Sequence, residues 1–167
     1  MAGSRPYTYR GQDFSLQRDK NRFVLPTLFR STVRDSSGGQ QILVLAQHHR
    51  WTCLTGFGLS RVEEFPEVLE RERKRAAEAG EPFDYDTRLM QLWGVFEIPF
   101  DGSGRFILPD YVATIANIDK EIYFHGSGEY FLLWNPDELA KAGPGLEAAQ
   151  AACTALAAKE RAKVKRS

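Results

Sequence analysis

The sequence contains little cysteine, with only Cys53 and Cys153 in 167 residues. Cysteine-based metal sites need ligands at short, regular spacings, and these two residues lie far apart in the chain. Proteins held together by disulfides carry more cysteines and are mostly secreted. We therefore expect two reduced, partly buried thiols in a cytoplasmic protein, with a structural disulfide as the less favoured alternative.

Long apolar runs are also missing. No stretch approaches the roughly 18 apolar residues of a membrane-spanning helix, and residues 1–6, expected to be a loose terminus, lack the apolar centre of a secretory signal. These absences predict a cytoplasmic protein with no membrane partner. Hydrophobic residues make up 43% of the chain, enough for a buried core in one compact domain or two small domains packed together.

Patterns that indicate catalysis or cofactor binding are lacking too. The chain shows no Ser-His-Asp, Cys-His or paired-carboxylate arrangement. His48 and His49 have no cysteine or acid at chelating distance, so we expect an exposed hairpin tip and no metal. The segments 102–104 and 126–128 are Gly-Ser-Gly, but each joins strands and does not open a nucleotide-binding helix. We expect no enzyme activity and no cofactor.

The net charge is zero, but the charges are unevenly distributed. Residues 1–34 carry seven basic and two acidic side chains, whereas residues 95–145 carry three basic and eight acidic ones. The segment 146–167 again has an excess of basic residues, five against two. Such asymmetry indicates a surface that faces a polyanion, with a random scatter of surface charge as the alternative.

A short pattern occurs twice in the chain. Asp19–Pro26 has the sequence Asp-Lys-Asn-Arg-Phe-Val-Leu-Pro, and Asp101–Pro109 has Asp-Gly-Ser-Gly-Arg-Phe-Ile-Leu-Pro. In each copy a polar turn precedes one arginine, two apolar residues and Leu-Pro. The arginines, Arg22 and Arg105, lie 83 residues apart, about half the chain. The halves are therefore predicted to be copies of one supersecondary unit.

This doubled pattern resembles the MraZ family of bacterial transcriptional regulators, in which each of two units carries an Asp-x-x-x-Arg turn. The second copy matches throughout, and the likeness extends over roughly residues 7 to 143. The first copy departs from the family pattern: Arg18 stands where the family has Asp, and Asn21 where it has Gly. Lys20 and Arg22 remain at the family's basic positions.

The resemblance implies an α+β, β-rich fold of two tandem AbrB-like swapped-hairpin modules, similar to double-psi barrels, with peripheral helices. It also implies a nucleoid-associated, DNA-binding regulator, mainly a repressor of the division and cell-wall gene cluster. Such a protein would bind direct repeats in double-stranded promoter DNA as a closed homo-oligomeric ring. The expected units are a first repeat at 7–60, connecting helices at 61–94, a second repeat at 95–143, and an Ala-rich helix with a basic tail at 144–167.

Arginine on a tight turn suits DNA, because its planar fork matches phosphate oxygens and the O6/N7 edge of guanine. For Arg22 the basic neighbours favour DNA contact. For Arg105 an ion pair with Asp101 across the turn is favoured over direct contact. Asn21 can replace Gly because it tolerates left-handed backbone. For the missing acid two alternatives are open: Asp19 substitutes for it, or the turn is reshaped. The candidate DNA-binding residues are Arg18, Lys20, Arg22, Arg10, Arg30 and Arg105.

Hydrophobic periodicity and turn residues predict the elements. Strands are expected at 7–9, 14–16, 22–25, 42–46, 51–55, 96–100, 105–108, 121–125 and 130–134. Helices are expected at 26–33, 66–79 and 87–93, after Pro109, and from Leu146, with 159–167 frayed. Ser60 and Asn135 are expected to begin capping boxes. The charged helix 67–79 is predicted to be solvated and not to bind DNA.

Two other functions are compatible with the sequence. A ring-forming interaction scaffold would follow if the altered first motif no longer binds DNA. A small-ligand barrel or enzyme would use the Gly-rich turns and the aromatic strands, although no catalytic set accompanies them. Steep salt dependence of DNA binding argues against the scaffold, and a metabolite-induced rise in melting temperature would favour the barrel.

Overall fold

The computed structural model describes residues 7–166 of the chain. Eight strands and six α-helices alternate along it, with two short 3-10 helices at Asp19–Asn21 and Leu59–Glu64. The strands are β1 (Gln12–Leu16), β2 (Arg22–Val24), β3 (Ile42–Gln47), β4 (Leu54–Phe57), β5 (Phe96–Pro99), β6 (Arg105–Ile107), β7 (Glu121–Gly126) and β8 (Phe131–Trp134). The helices are α1 (Thr27–Ser36), α2 (Phe65–Glu78), α3 (Tyr85–Trp93), α4 (Asp110–Ile115), α5 (Pro136–Ala140) and α6 (Glu147–Arg166). The predicted α+β class is therefore confirmed.

Six strands form one antiparallel sheet in the order β1-β7-β8-β4-β3-β5, and β2 pairs with β6 in a separate two-stranded ribbon. The order β1-β2-α1-β3-β4 recurs as β5-β6-α4-β7-β8. The first strand of each half pairs with the third strand of the other half, since β1 lies beside β7 and β5 beside β3. Because the strands are exchanged in this way, neither half forms its own sheet alone.

The two faces of the sheet support two hydrophobic cores. Successive side chains of a strand point to opposite faces, so Tyr123 and Phe124, neighbours in β7, belong to different cores. On one face, Phe29 of α1 stacks on Phe131 with 4.5 Å between ring centroids. On the other face, α6 packs Ala149, Cys153 and Ala157 against the sheet. Both cores contain residues from both halves.

The thiols agree with expectation, since Cys53 and Cys153 are free and buried. Burial raises the pKa of the Cys153 thiol to about 11 and that of Cys53 further still. A thiol with so high a pKa stays protonated and is a poor nucleophile. In the part of the chain described, no helix combines the length and the apolar composition needed to cross a membrane.

The segment after β3 differs from its prediction. His48 is only 5% exposed, so an exposed tip at this position is wrong. Its Nδ1 accepts hydrogen bonds from the N–H groups of Arg50 and Trp51, both at 3.0 Å, and its ring stacks on Trp51. Because this turn takes up the following residues, the next strand begins at Leu54 and not at residue 51 as predicted.

Other boundaries also need correction. Only Tyr9 of the predicted strand 7–9 pairs, in an isolated bridge to Gly128. Ser60 lies in a 3-10 helix, with its hydroxyl 2.6 Å from that of Ser36, and does not begin a capping box. Asn135 does cap α5, because its side chain accepts from the N–H of Asp137. The predicted fraying of 159–167 is wrong over residues 159–166, where α6 continues. Ser167 and the terminus 1–6, which was predicted to be loose, lie outside the described residues.

The Leu-Pro segment offers a paired test of the core. Leu108 is 1% exposed, whereas its neighbour Ile107 is 49% exposed. We expect Leu108→Ala to lower the free energy of unfolding by about 2–5 kcal/mol through the cavity it leaves. Ile107→Ala should change it by less than about 0.5 kcal/mol. Urea denaturation measures both, and equal losses would contradict this assignment of the inner and outer faces.

Acid should weaken the fold through His48. Burial lowers the pKa of His48 to about 4, and the positive charges nearby act in the same direction. Because the unfolded histidine titrates near 6.5, the unfolded state binds more protons between pH 6.5 and 4. Stability is therefore full above pH 6.5 and falls as the pH drops, with at most about 3 kcal/mol from this residue.

The measurement is urea denaturation of the wild type and of His48→Asn between pH 7.5 and 4.5. Asparagine can accept the same backbone hydrogen bonds but does not titrate. We expect a smaller loss of stability on acidification in the variant. Part of the pH dependence should remain, because burial also lowers the pKa values of His49 and His125. An identical loss in both proteins would show that protonation of His48 is not the cause.

Candidate nucleic-acid interface

The ribbon of β2 and β6 presents the two motif arginines on one surface. Arg22 pairs with Ile107, and Arg105 pairs with Val24. In an antiparallel pair, directly opposed residues share a face, and residues two apart along a strand share it too. Phe23 and Phe106 occupy the inner face and are buried. The outer face therefore carries Arg22 and Arg105 near opposite ends, with Cα atoms about 8 Å apart by strand geometry.

The second turn is closed by its aspartate. Asp101 Oδ1 accepts from the N–H groups of Ser103 and Arg105, both at 2.9 Å, and Oδ2 accepts from Arg105 Nε at 2.7 Å. The hydrogen bond from the Arg105 N–H is the largest cause that lowers the pKa of the Asp101 carboxyl, and the guanidinium adds to it. The predicted ion pair is confirmed. The ion pair orients the Arg105 side chain through Nε, so the two terminal nitrogens of the guanidinium remain available to bind another group.

The first turn keeps the closing backbone hydrogen bond of the second without that aspartate, but its backbone is reshaped at Lys20. The N–H of Arg18 donates to the carbonyl of Arg22 at 2.7 Å, as the N–H of Asp101 does to the carbonyl of Arg105 at 3.0 Å. Asn21 has φ 58°, where the second turn has Gly104 at φ 83°, so its expected left-handed conformation is confirmed. Lys20 is left-handed as well, with φ 60°. Two consecutive left-handed non-glycine residues are uncommon and strained.

A helix of the opposite half supports each turn. Asn21 Nδ2 donates to Asp110 Oδ1 of α4 at 2.7 Å, and Asn21 Oδ1 accepts from Gln17 Nε2 at 2.7 Å. At the second turn, a Cβ on Gly104 would lie 2.6 Å from Arg30 Nη2 of α1. Glycine at this position therefore makes room for a guanidinium. Each turn depends on both halves of the chain.

The side chain of Arg22 differs from that of Arg105. Within residues 7–166, the guanidinium of Arg22 has no hydrogen-bond or ion-pair partner, so of the two alternatives for the missing acid, substitution by Asp19 does not occur. Arg18, Lys20 and Arg22 are all exposed around this one turn. The first turn thus carries three exposed cationic side chains, with Asp19 in its own sequence and Asp110 bound to Asn21, and Arg22 can contact an anion without breaking an internal pair.

The remaining two candidates lie elsewhere. Arg30 donates from Nε and Nη2 to the carbonyl oxygen of Leu25, at 3.3 and 2.9 Å, so it supports the base of the ribbon. Arg10 precedes β1 and lies against Gly126, beside the β7–β8 turn. The length of β1 separates it from the first turn by about 15 Å. The structure brings together Arg18, Lys20, Arg22 and Arg105, but not Arg10, and Arg30 is next to Gly104 in a supporting position.

Sequence reasoning did not identify Gln17, Asp110 and Ser15 as part of this site. Ser15 Oγ accepts from the N–H of Val24 at 2.9 Å and joins β1 to the ribbon. Asp110 follows the second Leu-Pro directly, and this is the one signal that could have drawn attention to it. In residues 7–166, no group of three or more His, Cys, Asp or Glu side chains is placed to hold a metal ion.

Comparison with known proteins identifies the family. No protein-family model matches the chain. The chain is 31% identical over 127 residues to the transcriptional regulator MraZ of Methylococcus capsulatus, covering 76% of this chain and 78% of that protein. Proteins of the same name from Rhizobium johnstonii and Rhizobium meliloti are 32% and 28% identical, each alignment covering 74% of this chain and 80% of the relative. The doubled Arg-Φ-Φ-Leu-Pro turn and these similarities agree, and the chain belongs to the MraZ family of transcriptional regulators.

Proposed function

We propose that this protein regulates transcription by binding double-stranded promoter DNA with the outer face of the β2–β6 ribbon. The observation that carries the proposal is the exposed cluster of Arg18, Lys20 and Arg22 on one strained turn. A surface of this kind, with side chains that have few internal partners, suits phosphate oxygens and guanine edges. Arg105, held by Asp101, extends the same face.

The shape of the ribbon supports the same proposal. A two-stranded ribbon is narrow enough to enter the major groove of B-form DNA. Its inner face is anchored by Phe23 and Phe106, whose ring centroids are 6.2 Å apart, so the outer face is presented on a packed support. We propose that Arg22 and Arg105 contact DNA from opposite ends of the ribbon, and that Arg10 and Arg30 contribute less.

We propose further that the chain is a pair of tandem AbrB-like swapped-hairpin modules with the boundaries expected from sequence: 7–60, 61–94, 95–143 and 144–167. The exchange of β1 and β5 between halves and the reciprocal support of the two turns favour this fold. The helices α2 and α3 connect the halves, and α6 follows the second.

The biological setting rests on the family. We propose a cytoplasmic, nucleoid-associated regulator, not an enzyme, that mainly represses the division and cell-wall gene cluster. A closed homo-oligomeric ring would place several ribbons along direct repeats in the promoter. Each turn offers few contacts, so repeated engagement would supply affinity that one protomer lacks. The neutral net charge makes this need for avidity greater.

Arg22→Ala tests the proposal. If Arg22 binds a base edge, the substitution should weaken binding to a promoter fragment from upstream of the protein's own gene by about 1–3 kcal/mol. If Arg22 instead binds a phosphate, the magnitude of the slope of log K against log salt should fall by about 0.9 for each protomer that engages the DNA. The measurement is a fluorescence anisotropy titration against promoter and scrambled DNA at several salt concentrations.

Arg75→Ala on α2 is the matched control, because it removes an exposed arginine far along the chain from either turn. It should leave affinity and salt slope near those of the wild type. Light scattering should give the same oligomer mass for all three proteins. Binding that is equal for Arg22→Ala and wild type, or absent from both with the oligomer intact, would instead favour the ring-forming interaction scaffold.

A further inference from the structure

The C-terminal half of α6 lies beside the first turn. One groove is lined by Gln17, Arg18 and Val24 from the β1–β2 region and by Glu160, Lys163 and Val164 from α6. Val24 belongs to the outer face of the ribbon, where it is paired with Arg105 and lies two residues from Arg22. The groove is therefore continuous with the surface proposed to meet DNA.

Two contacts hold this part of α6 in place. Cys153 and Ala157 are buried against the sheet. One turn further along, Arg161 donates from Nε to Glu121 Oε2 and from Nη2 to Glu121 Oε1, both at 2.6 Å. Glu121 starts β7 and pairs with Leu16 at the end of β1, next to the first turn. A bidentate pair of this geometry fixes the helix in direction as well as position.

The internal contacts of the helix leave cationic charge available. Arg161 is engaged by Glu121, and Lys163 Nζ lies 3.0 Å from Glu160 Oε1. Lys159 and Lys165 form no ion pair with any residue between 7 and 166. The Lys163–Glu160 pair is solvent-exposed, and such pairs contribute little stability, so a phosphate can take the place of the glutamate. The alternative is that this end of α6 is only a solvated helix end. That alternative gives no reason for Lys163 to line the same groove as Arg18.

We infer that the C-terminal half of α6 is a second DNA-contacting surface, on which Lys163 acts with Arg18 on the phosphate backbone next to the DNA contacted by the ribbon. This inference rests on the proposed function, since it assigns a further part of the same interface. The ammonium of lysine is a point charge with no planar fork, so the contact adds affinity without base preference. The negative charge of Glu160, which lines the same groove, would repel the phosphate and weaken this contact.

Opposite effects of two substitutions distinguish this role from a structural one. Lys163→Gln and Glu160→Gln both remove the same ion pair, so a merely structural effect would change binding in one direction for both. We expect Lys163→Gln to weaken binding equally to promoter and scrambled DNA, and Glu160→Gln to strengthen it. For each phosphate that Lys163 side chains neutralise in the complex, the fall in affinity between 50 and 200 mM salt should be about 3.5-fold smaller in Lys163→Gln than in the wild type.

Lys74→Gln on α2 is the matched control, because Lys74 is an exposed lysine of a helix that does not line this groove. If Lys163→Gln has the salt slope of Lys74→Gln, and Glu160→Gln does not bind more tightly, the inference is overturned even when Arg22→Ala confirms the ribbon. If the wild type does not bind DNA at all, the proposed function fails and the inference fails with it. Circular dichroism melting checks that each variant remains folded.

Discussion

Antiparallel pairing of β2 with β6 is the constraint on which both the core and the candidate interface depend. The N–H of Leu25 donates to the carbonyl of Gly104 at 2.7 Å, and the N–H of Leu108 donates to the carbonyl of Asn21 at 3.0 Å. The leucine of each Leu-Pro segment therefore donates a hydrogen bond to the turn of the other half. Proline follows without a donor of its own, so the strand ends and a helix begins at the next residue. Both halves therefore contribute hydrogen bonds at each turn, in addition to the local ones.

The same pairing explains how a chain of zero net charge can present a cationic surface. Exchange of strands brings the basic N-terminal segment and the acidic second half into one sheet, but their turns lie at opposite ends of the ribbon. Asp101 is used internally by its own turn, and Glu121 is used by Arg161. These two acids are thus largely neutralised by structural partners, whereas Arg18, Lys20 and Arg22 are not. The uneven distribution of charge along the sequence is therefore kept in the fold, where the two turns lie at opposite ends of the ribbon.

The repeats, most of the elements and the left-handed Asn21 could be predicted because each depends on local residues. Glycine at the equivalent position of the other copy indicated the backbone that Asn21 would adopt. The contact from Asn21 to Asp110 spans 89 residues, and no local pattern encodes it. Alternating apolar residues predict that β1 and β7 are strands but not that they pair. The burial of His48 also escaped prediction, because it results from stacking on Trp51 in a turn with no sequence periodicity.

The two turns present arginine in different ways, and this difference bears on how they would bind. Arg105 is oriented by its carboxylate, so less side-chain freedom is lost when it meets an anion, but its charge is partly cancelled. Arg22 keeps its full charge and its freedom, and ordering it costs about 0.5–1.5 kcal/mol. Arg18, which takes the position that Asp101 has in the second turn, thus exchanges orientation of the arginine for charge density. A turn of this kind binds well only when neighbouring cations share the DNA, and Lys163 of α6 lines the same groove as Arg18. Arg18 and Lys163 thus bring two basic side chains, from the turn and from the C-terminal helix, to one groove.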